Sequence, residues 1–349
     1  MQGHVSILSV SPEAAAMIAS GGRISTMDGT ADEIYANSLS AGQEKNEKLI
    51  GKVLSSGHTS VLEHCYVNLS FENVSVLAEQ FLIEFRLASF TVKSRRYVDF
   101  SKAGYVSPVF TDNVQMAIFE RTVESLFGTY DVLEAAGVPK EDARFVLPYC
   151  FCSNFFCSMN ARELVHVMNE LAYGRGSRIP ELRALGESLF AQCEQQIPFL
   201  AVRKPEAYRQ SDAFCLRQVQ LLTSKAPVTV LAAPQDAEGL ICGAYQLARG
   251  NVPQPLTKPE QTALLKALLA QPRKRELEQA SYTLLFDGLS LAALTHLTRH
   301  RMQALCAPNL LKSARYDRYV LPESVQQTGL EAQYREAFRQ AGKAAVQLR

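Results

Sequence analysis

Apolar positions recur along this chain at two spacings, and the spacing separates its helices from its strands. Val5–Val10 reads as a short strand, and Pro12–Ser20 as a helix. Ala31–Leu54 places Ile34, Leu39, Leu49 and Val53 at helical spacing. Tyr66–Val74 alternates and is rich in β-formers, so it predicts a strand. Val76–Leu87 predicts an apolar helix. Residues 112–136 predict a long amphipathic helix stopped by Gly137, with Pro139 beyond it. Two more helices are expected over 160–173 and 179–197, the second with Pro180 near its start. The polar stretch Lys204–Asp212 reads as a junction. Asn251–Lys258, with Pro253 and Pro255 and with Pro259 just after it, reads as a loop.

The pattern also repeats. At a constant offset of 215 and without a gap, Leu49, Leu54, Leu62, Glu63, Leu69, Phe71, Ser75, Ala78, Leu82 and Arg86 recur as Leu264, Leu269, Leu277, Glu278, Leu284, Phe286, Ser290, Ala293, Leu297 and Arg301. After an insertion of four, Ser94-Arg95-Arg96-Tyr97 recurs as Ser313-Ala314-Arg315-Tyr316. Shared hydrophobicity accounts for the leucines. It does not account for the shared Glu, the shared Arg or the S-x-R-Y, so the chain reads as a tandem partial duplication.

Composition narrows the class. The 349 residues suggest two domains or one large one. With 47% hydrophobic and 20% charged residues, the chain falls in the globular range and can bury a core without disulfides or metal. The net charge of +1 argues against bulk coating of nucleic acid, and no nucleic-acid partner is expected. No run of about 18 apolar residues occurs, so no membrane span is expected. The N-terminus lacks the basic start and cleavage site of a signal peptide. Eight scattered cysteines form no C-x-x-C pair. Buried thiols in a cytoplasmic protein are expected, and no metal site.

Two segments hold residues suited to chemistry. The first runs from Gly57-His58-Thr59-Ser60-Val61-Leu62-Glu63-His64 through Arg86-Leu87-Ala88-Ser89 to Ser94-Arg95-Arg96-Tyr97. The second is Arg299-His300-Arg301, closed by Ser313-Ala314-Arg315-Tyr316. The planar fork of arginine binds phosphate in a bidentate manner, and a serine hydroxyl with free backbone N–H groups completes an anion pocket. Histidine donates to a ring or a phosphate near neutral pH. An isolated R-H-R would read as a solvated basic helix end. The preceding apolar helix, the following S-x-R-Y and the duplication favour a nucleotide or a flavin pyrophosphate.

These motifs resemble those of the flavin-dependent thymidylate synthase (ThyX) family. Its signature is R-H-R-x-x-S-x-N-x-x-S-x-R-Y after a Gly-His…Glu-His segment. The first copy reads Glu84-Phe85-Arg86-Leu87-Ala88-Ser89-Phe90-Thr91-Val92-Lys93-Ser94-Arg95-Arg96-Tyr97. It keeps the third Arg, both serines and the Arg-Tyr, and has lost the first Arg, the His and the Asn. The second copy keeps Arg299-His300-Arg301 but has Ala304 and Cys306 in place of the Ser and Asn. Ala143-Arg144-Phe145-Val146-Leu147-Pro148 is similar to the family's A-R-x-x-L-P segment, and Asn160-Ala161-Arg162 to its N-A-R. Leu171 stands where the family has an arginine that promotes ionisation of the uracil ring.

The resemblance implies an α+β, ThyX-like fold, a mixed sheet packed by long helices. It implies a complete first copy over 1–207 and a truncated second over 208–349. The implied activity is reductive C5-methylation of dUMP, with FAD as cofactor and NADPH and methylenetetrahydrofolate as co-substrates. The alternative is a paralogue that binds flavin or nucleotide without making dTMP. Implied catalytic residues are Ser94, Arg96 and Arg175. Implied dUMP contacts are Arg86, Ser94, Arg95, Arg96, Arg144 and Arg315. Implied FAD contacts are His58, Ser60, Asn160, Arg162, His166, Arg299, His300 and Arg301. The losses in the two copies are complementary, so a site between copies is expected. The expected assembly is a homodimer forming a pseudo-tetramer, or a homotetramer.

Overall fold

In order, the chain forms β1 (His4–Val10), α1 (Ala14–Arg23), α2 (Ala31–Ala41), α3 (Gln43–Ser55), β2 (Tyr66–Ser75), α4 (Val76–Leu82), β3 (Ala88–Val92) and α5 (Asn113–Ala135). There follow α6 (Lys140–Ala143), β4 (Cys152–Asn160), α7 (Ala161–Ala172), α8 (Pro180–Gln196), α9 (Pro205–Tyr208), β5 (Val228–Ala232), α10 (Ala237–Leu247), α11 (Lys258–Leu269), β6 (Thr283–Phe286) and α12 (Leu291–Thr298). Helices α13 (Glu323–Gln327) and α14 (Glu331–Gln347) close it. This computed structural model describes residues 3–209, 227–307 and 318–348. Among them, no helix is long and apolar enough to cross a membrane.

The helical stretch over Ala31–Leu54 is two helices. Thr30 and Glu33 form a reciprocal capping box that starts α2. Gly42, at φ 82°, breaks the run before α3, a backbone conformation that glycine adopts without a Cβ penalty. The helix expected over Val76–Leu87 ends at Leu82, and Ala88–Val92 turns into strand β3. Strand β3, which the sequence reading did not anticipate, is set by its pairing with β4.

Four strands form one sheet in the order β1-β2-β4-β3. Every pairing is antiparallel, with Leu69 opposite Cys157 and Phe71 opposite Phe155. The α+β class therefore holds, and the sheet is antiparallel where a mixed one was expected. Strand β4 has no counterpart in the sequence reading. It is hydrogen-bonded on both sides, and burial extends to both of its faces, which blurs the alternation that marks a half-exposed strand.

Helices α7 and α8 share one core with the sheet. In α7, Leu164, Val167, Met168 and Leu171 are all fully buried, each contributing about 1.5–3 kcal/mol. The two helices meet at Gly186, where an added Cβ would stand 2.8 Å from the Leu171 Cβ and 2.9 Å from the Ala172 nitrogen. Gly186→Ala is expected to lower stability by about 1–3 kcal/mol through overpacking, read from urea unfolding.

A second core joins α5 to the C-terminal helices. Tyr130 and Leu133 of α5, Tyr334 and Ala337 of α14, and Val325 of α13 are buried together. The Ser125 hydroxyl donates to Gln340 Oε1 at 2.7 Å, and the Ser324 hydroxyl to Asp142 at 2.6 Å.

The described residues divide into two compact units. One takes in those up to 209 together with those from Ala292 on, and the other runs from 227 to Leu291. In the second unit β5 pairs antiparallel with β6, as β1 does with β2. The duplication is visible in the elements themselves. Helix α11 starts 215 residues after α3, and α12 starts 215 after α4. The 3-10 turn Arg275–Gln279 answers Thr59–His64. Copies and compact units cut the chain differently, because α12, α13 and α14 pack with the first copy.

Candidate functional site

Helix α4 carries one acid, Glu79, beside Gln80 among apolar residues, and the Glu79 side chain is 1% exposed. An isolated buried carboxylate is costly, so its partners define the local design. Arg95 Nη2 lies 2.5 Å from Glu79 Oε2, and the Ser153 hydroxyl donates to the same oxygen at 2.6 Å. Arg299 Nη2, from the second copy, lies 3.6 Å from Oε1. Beside this pair, the Gln80 amide oxygen accepts the Thr295 hydroxyl at 2.6 Å.

More positive charge gathers here than Glu79 offsets. Burial, followed by the neighbouring Arg95 and Arg96, pushes the Arg144 guanidinium below its ordinary pKa, with Glu141 opposing. Burial, followed by Arg299, Arg144, Arg96 and His300, pushes His296 down. Arg299 is likewise lowered, by burial first and also by Arg95, with Glu79 opposing. Burial leads each of these shifts, and neighbouring cations add to it. Among the described residues, the Glu79 Oε1, Gln80 Nε2 and Arg95 Nε atoms are buried without a hydrogen-bond partner. The group fits a multivalent oxyanion, which would satisfy several arginine forks at once.

The structure thus brings together Arg95, Arg96 and Arg144 from copy one with Arg299 and His300 from copy two. Arg95 is the most enclosed and is committed to Glu79. Ser94 stands next to Arg96, whose backbone N–H donates to the Ser94 hydroxyl at 3.3 Å. Arg144 Nε donates to the Glu141 carbonyl at 2.9 Å. Arg315 lies outside the described residues.

A second set surrounds the start of α7. Asn160 caps that helix, its side-chain oxygen accepting the Glu163 N–H at 2.9 Å. Arg162 pairs with Glu63 at 2.5 Å, tying α7 to the 3-10 turn Thr59–His64. His58 and Ser60 are exposed at the beginning of that turn. One helical turn beyond Arg162, His166 Nδ1 lies 2.8 Å from the Tyr208 hydroxyl, and its ring meets the edge of Phe85 at 5.4 Å.

Three expected residues are held elsewhere. Arg86 Nε donates to the Arg301 carbonyl at 3.0 Å. Arg301 in turn donates to the Ala88 carbonyl at 2.7 Å and to the Ser89 hydroxyl at 2.9 Å. Both of these arginines tie α12 to the segment after α4. Arg175 sits 2.9 Å from Glu84 and 3.7 Å from Glu170, over the Phe81 ring. Leu171 is fully buried against Gly186, a place with no room for an arginine.

Sequence reading passed over Glu79, Ser153, His296 and Tyr208. For Glu79 a signal existed: a lone acid within an apolar helix needs a buried partner. The partners themselves come from segments far apart in sequence.

Comparison with known proteins places the chain in a family. The family model described as thymidylate synthase complementing protein matches residues 6–199 and 229–349. A flavin-dependent thymidylate synthase of Nitratidesulfovibrio vulgaris is 29% identical over 256 residues, spanning 70% of this chain and 96% of that relative. One from Geobacter sulfurreducens is 34% identical over 166 residues, spanning 46% of this chain and 70% of the relative. A solved structure of a UMP/dUMP methylase from Streptomyces cacaoi, bound with 5-Br dUMP, is 21% identical with a TM-score of 0.48, covering 57% of this chain and 93% of that one. Matched by the family model on both sides of its repeat, the chain belongs to the thymidylate synthase complementing protein (ThyX) family.

Proposed function

We propose that this protein is a flavin-dependent thymidylate synthase that reductively methylates C5 of dUMP. Methylenetetrahydrofolate is the carbon donor, and NADPH is the reductant. The observation that carries the reading is the surplus of arginine charge where copy one meets α12.

In this reading Arg96, Arg144 and Arg299 hold the dUMP phosphate, with Ser94 as an additional donor. Arg95 acts one step back, through Glu79. Anchoring the phosphate orients the uracil ring and spends remote binding energy on positioning. His58, Ser60, Asn160, Arg162 and His166 flank the flavin, with His300 as a donor from the second copy. The residues present fit such a group: Asn160 and Arg162 stand at the start of α7, Arg162 pairs with Glu63 of the 3-10 turn whose beginning carries the exposed His58 and Ser60, and His166 lies one helical turn on. When bound, FAD would supply the two-electron reduction that takes the methylene carbon to a methyl group. The C5 proton leaves as the new carbon–carbon bond forms, and the methylene carbon's bonds to the folate nitrogens break to release tetrahydrofolate. Donors beside the ring stabilise the negative charge that develops on it. Arg175, held between Glu84 and Glu170, takes no part.

The copies over 1–207 and 208–349 then act as unlike subunits in one cytoplasmic chain, and two chains complete the assembly. Purified protein is expected to carry the yellow absorbance of bound FAD. Colourless protein that takes up no added FAD would overturn the assignment.

A further inference from the structure

Two hydrogen bonds join residues that are each other's counterparts in the repeat. Thr295 meets Gln80, and Arg86 meets the carbonyl of Arg301, both across a spacing of 215. A residue touches its own counterpart only near a two-fold axis, where each contact has a mate with the roles exchanged. Helices α4 and α12 therefore pair about a local pseudo-dyad inside one chain.

The mate of the Glu79–Arg299 contact is the pair formed by their counterparts, Leu294 and Glu84. Chemically the two ends are opposites. At one end, Arg95 and Arg299 meet the Glu79 carboxylate, and Arg144 stands within electrostatic reach of Arg95, Arg96 and Glu141. At the other, an acid stands where Arg299 stands, and a leucine stands where Glu79 stands. Glu84 is neutralised by Arg175, which has Glu170 on its other side. Among the described residues, two carboxylates flank Arg175 at this end, which disfavours a dianion; at the other, four arginines outnumber Glu79 and Glu141, which favours one.

We propose that the chain has one nucleotide-phosphate site rather than two, at the Glu79 end of the α4–α12 pair. Glu79 is its positioning residue. It joins Arg95 of the first copy to Arg299 of the second, so the arginines of both copies present one anion pocket. The Glu84 end is silent. This assignment rests on the proposed function for the identity of the nucleotide.

Calorimetric titration of the full-length, FAD-loaded protein with dUMP is expected to give one dUMP per chain. Two per chain would overturn the proposal. Glu79→Gln is expected to raise KM for dUMP at least tenfold, with kcat within about twofold and KM for the folate unchanged. An equal effect on all three constants would overturn the positioning role. Glu84→Gln is expected to leave both the stoichiometry and the affinity as in the parent, and a lost or weakened site in that variant would contradict the silent end. One dUMP per chain without turnover would sustain this inference and refute the catalytic reading. Two per chain with turnover would do the reverse, and no dUMP binding would overturn both.

Discussion

Arg95→Met is expected to lower the unfolding free energy by about 3–5 kcal/mol, because it leaves Glu79 buried with its nearest cation gone. Arg95 is 11% exposed and Glu79 1% exposed, and their contact is 2.5 Å, so solvent cannot replace the missing partner. The Ser153 hydroxyl remains, and Arg299 stands 3.6 Å away, but neither replaces the fork of Arg95. A loss of this size is a large share of the stability of an ordinary domain. Adding Glu79→Leu to the same chain is expected to recover most of it, since an apolar pair of similar volume costs little where an unpaired charge costs much. The second copy already carries leucine at the equivalent position, Leu294. Urea unfolding of the two single variants and the double variant, read as a cycle, measures the coupling. Additive losses would mean that the two side chains do not depend on each other.

Arg144→Ala is expected to act in the opposite sense on stability and activity. Its guanidinium is crowded by Arg95 and Arg96 and is partly desolvated, and both effects disfavour its charge. Removing it relieves repulsion, so stability is expected to hold or rise slightly. In the proposed reading, removing it also takes away a bidentate hold on the dUMP phosphate. Two charge-assisted hydrogen bonds lost together are worth about 3 kcal/mol, on the order of a hundredfold in kcat/KM for dUMP. Arg144→Lys is expected to recover only part, because an ammonium restores the charge without the planar fork. Steady-state kinetics set beside urea unfolding checks both halves. A variant that loses stability but keeps its affinity for dUMP would place Arg144 among the structural arginines. Groups that are unfavourable for the fold and favourable for a ligand are the usual mark of a binding site.

Much of this molecule was legible in its sequence because the relevant signals are local. The long helix α5 follows from its spacing and from the Gly137 stop. Strand β2 follows from alternation. The repeat follows from a constant offset, and the element boundaries of α3, α11, α4 and α12 reproduce it. Other features depend on what lies across the gap. Strand β3 is made by pairing with β4 and not by its own pattern. Strand β4, with partners on both sides, lacks clean alternation. The motif arginines divide in the same way. S-x-R-Y and R-H-R mark an anion site in sequence, yet their spacing does not say which arginine is free. Arg86 and Arg301 hold α12 to the segment after α4, Arg95 neutralises a buried acid that Arg299 also reaches, and in the proposed reading Arg96, Arg144 and Arg299 hold the ligand. Leu171, which looked like a lost functional position, is part of the α7–α8 core.

The most direct test of the account is release of tritium from dUMP labelled at C5. Purified full-length protein is incubated with FAD, NADPH and methylenetetrahydrofolate. Tritium is expected to enter water in step with formation of dTMP, only when all the components are present, and to fall about a hundredfold in Arg144→Ala. Protein that carries FAD and binds dUMP, yet releases no tritium and forms no dTMP, would contradict the assignment of this chain as a thymidylate synthase.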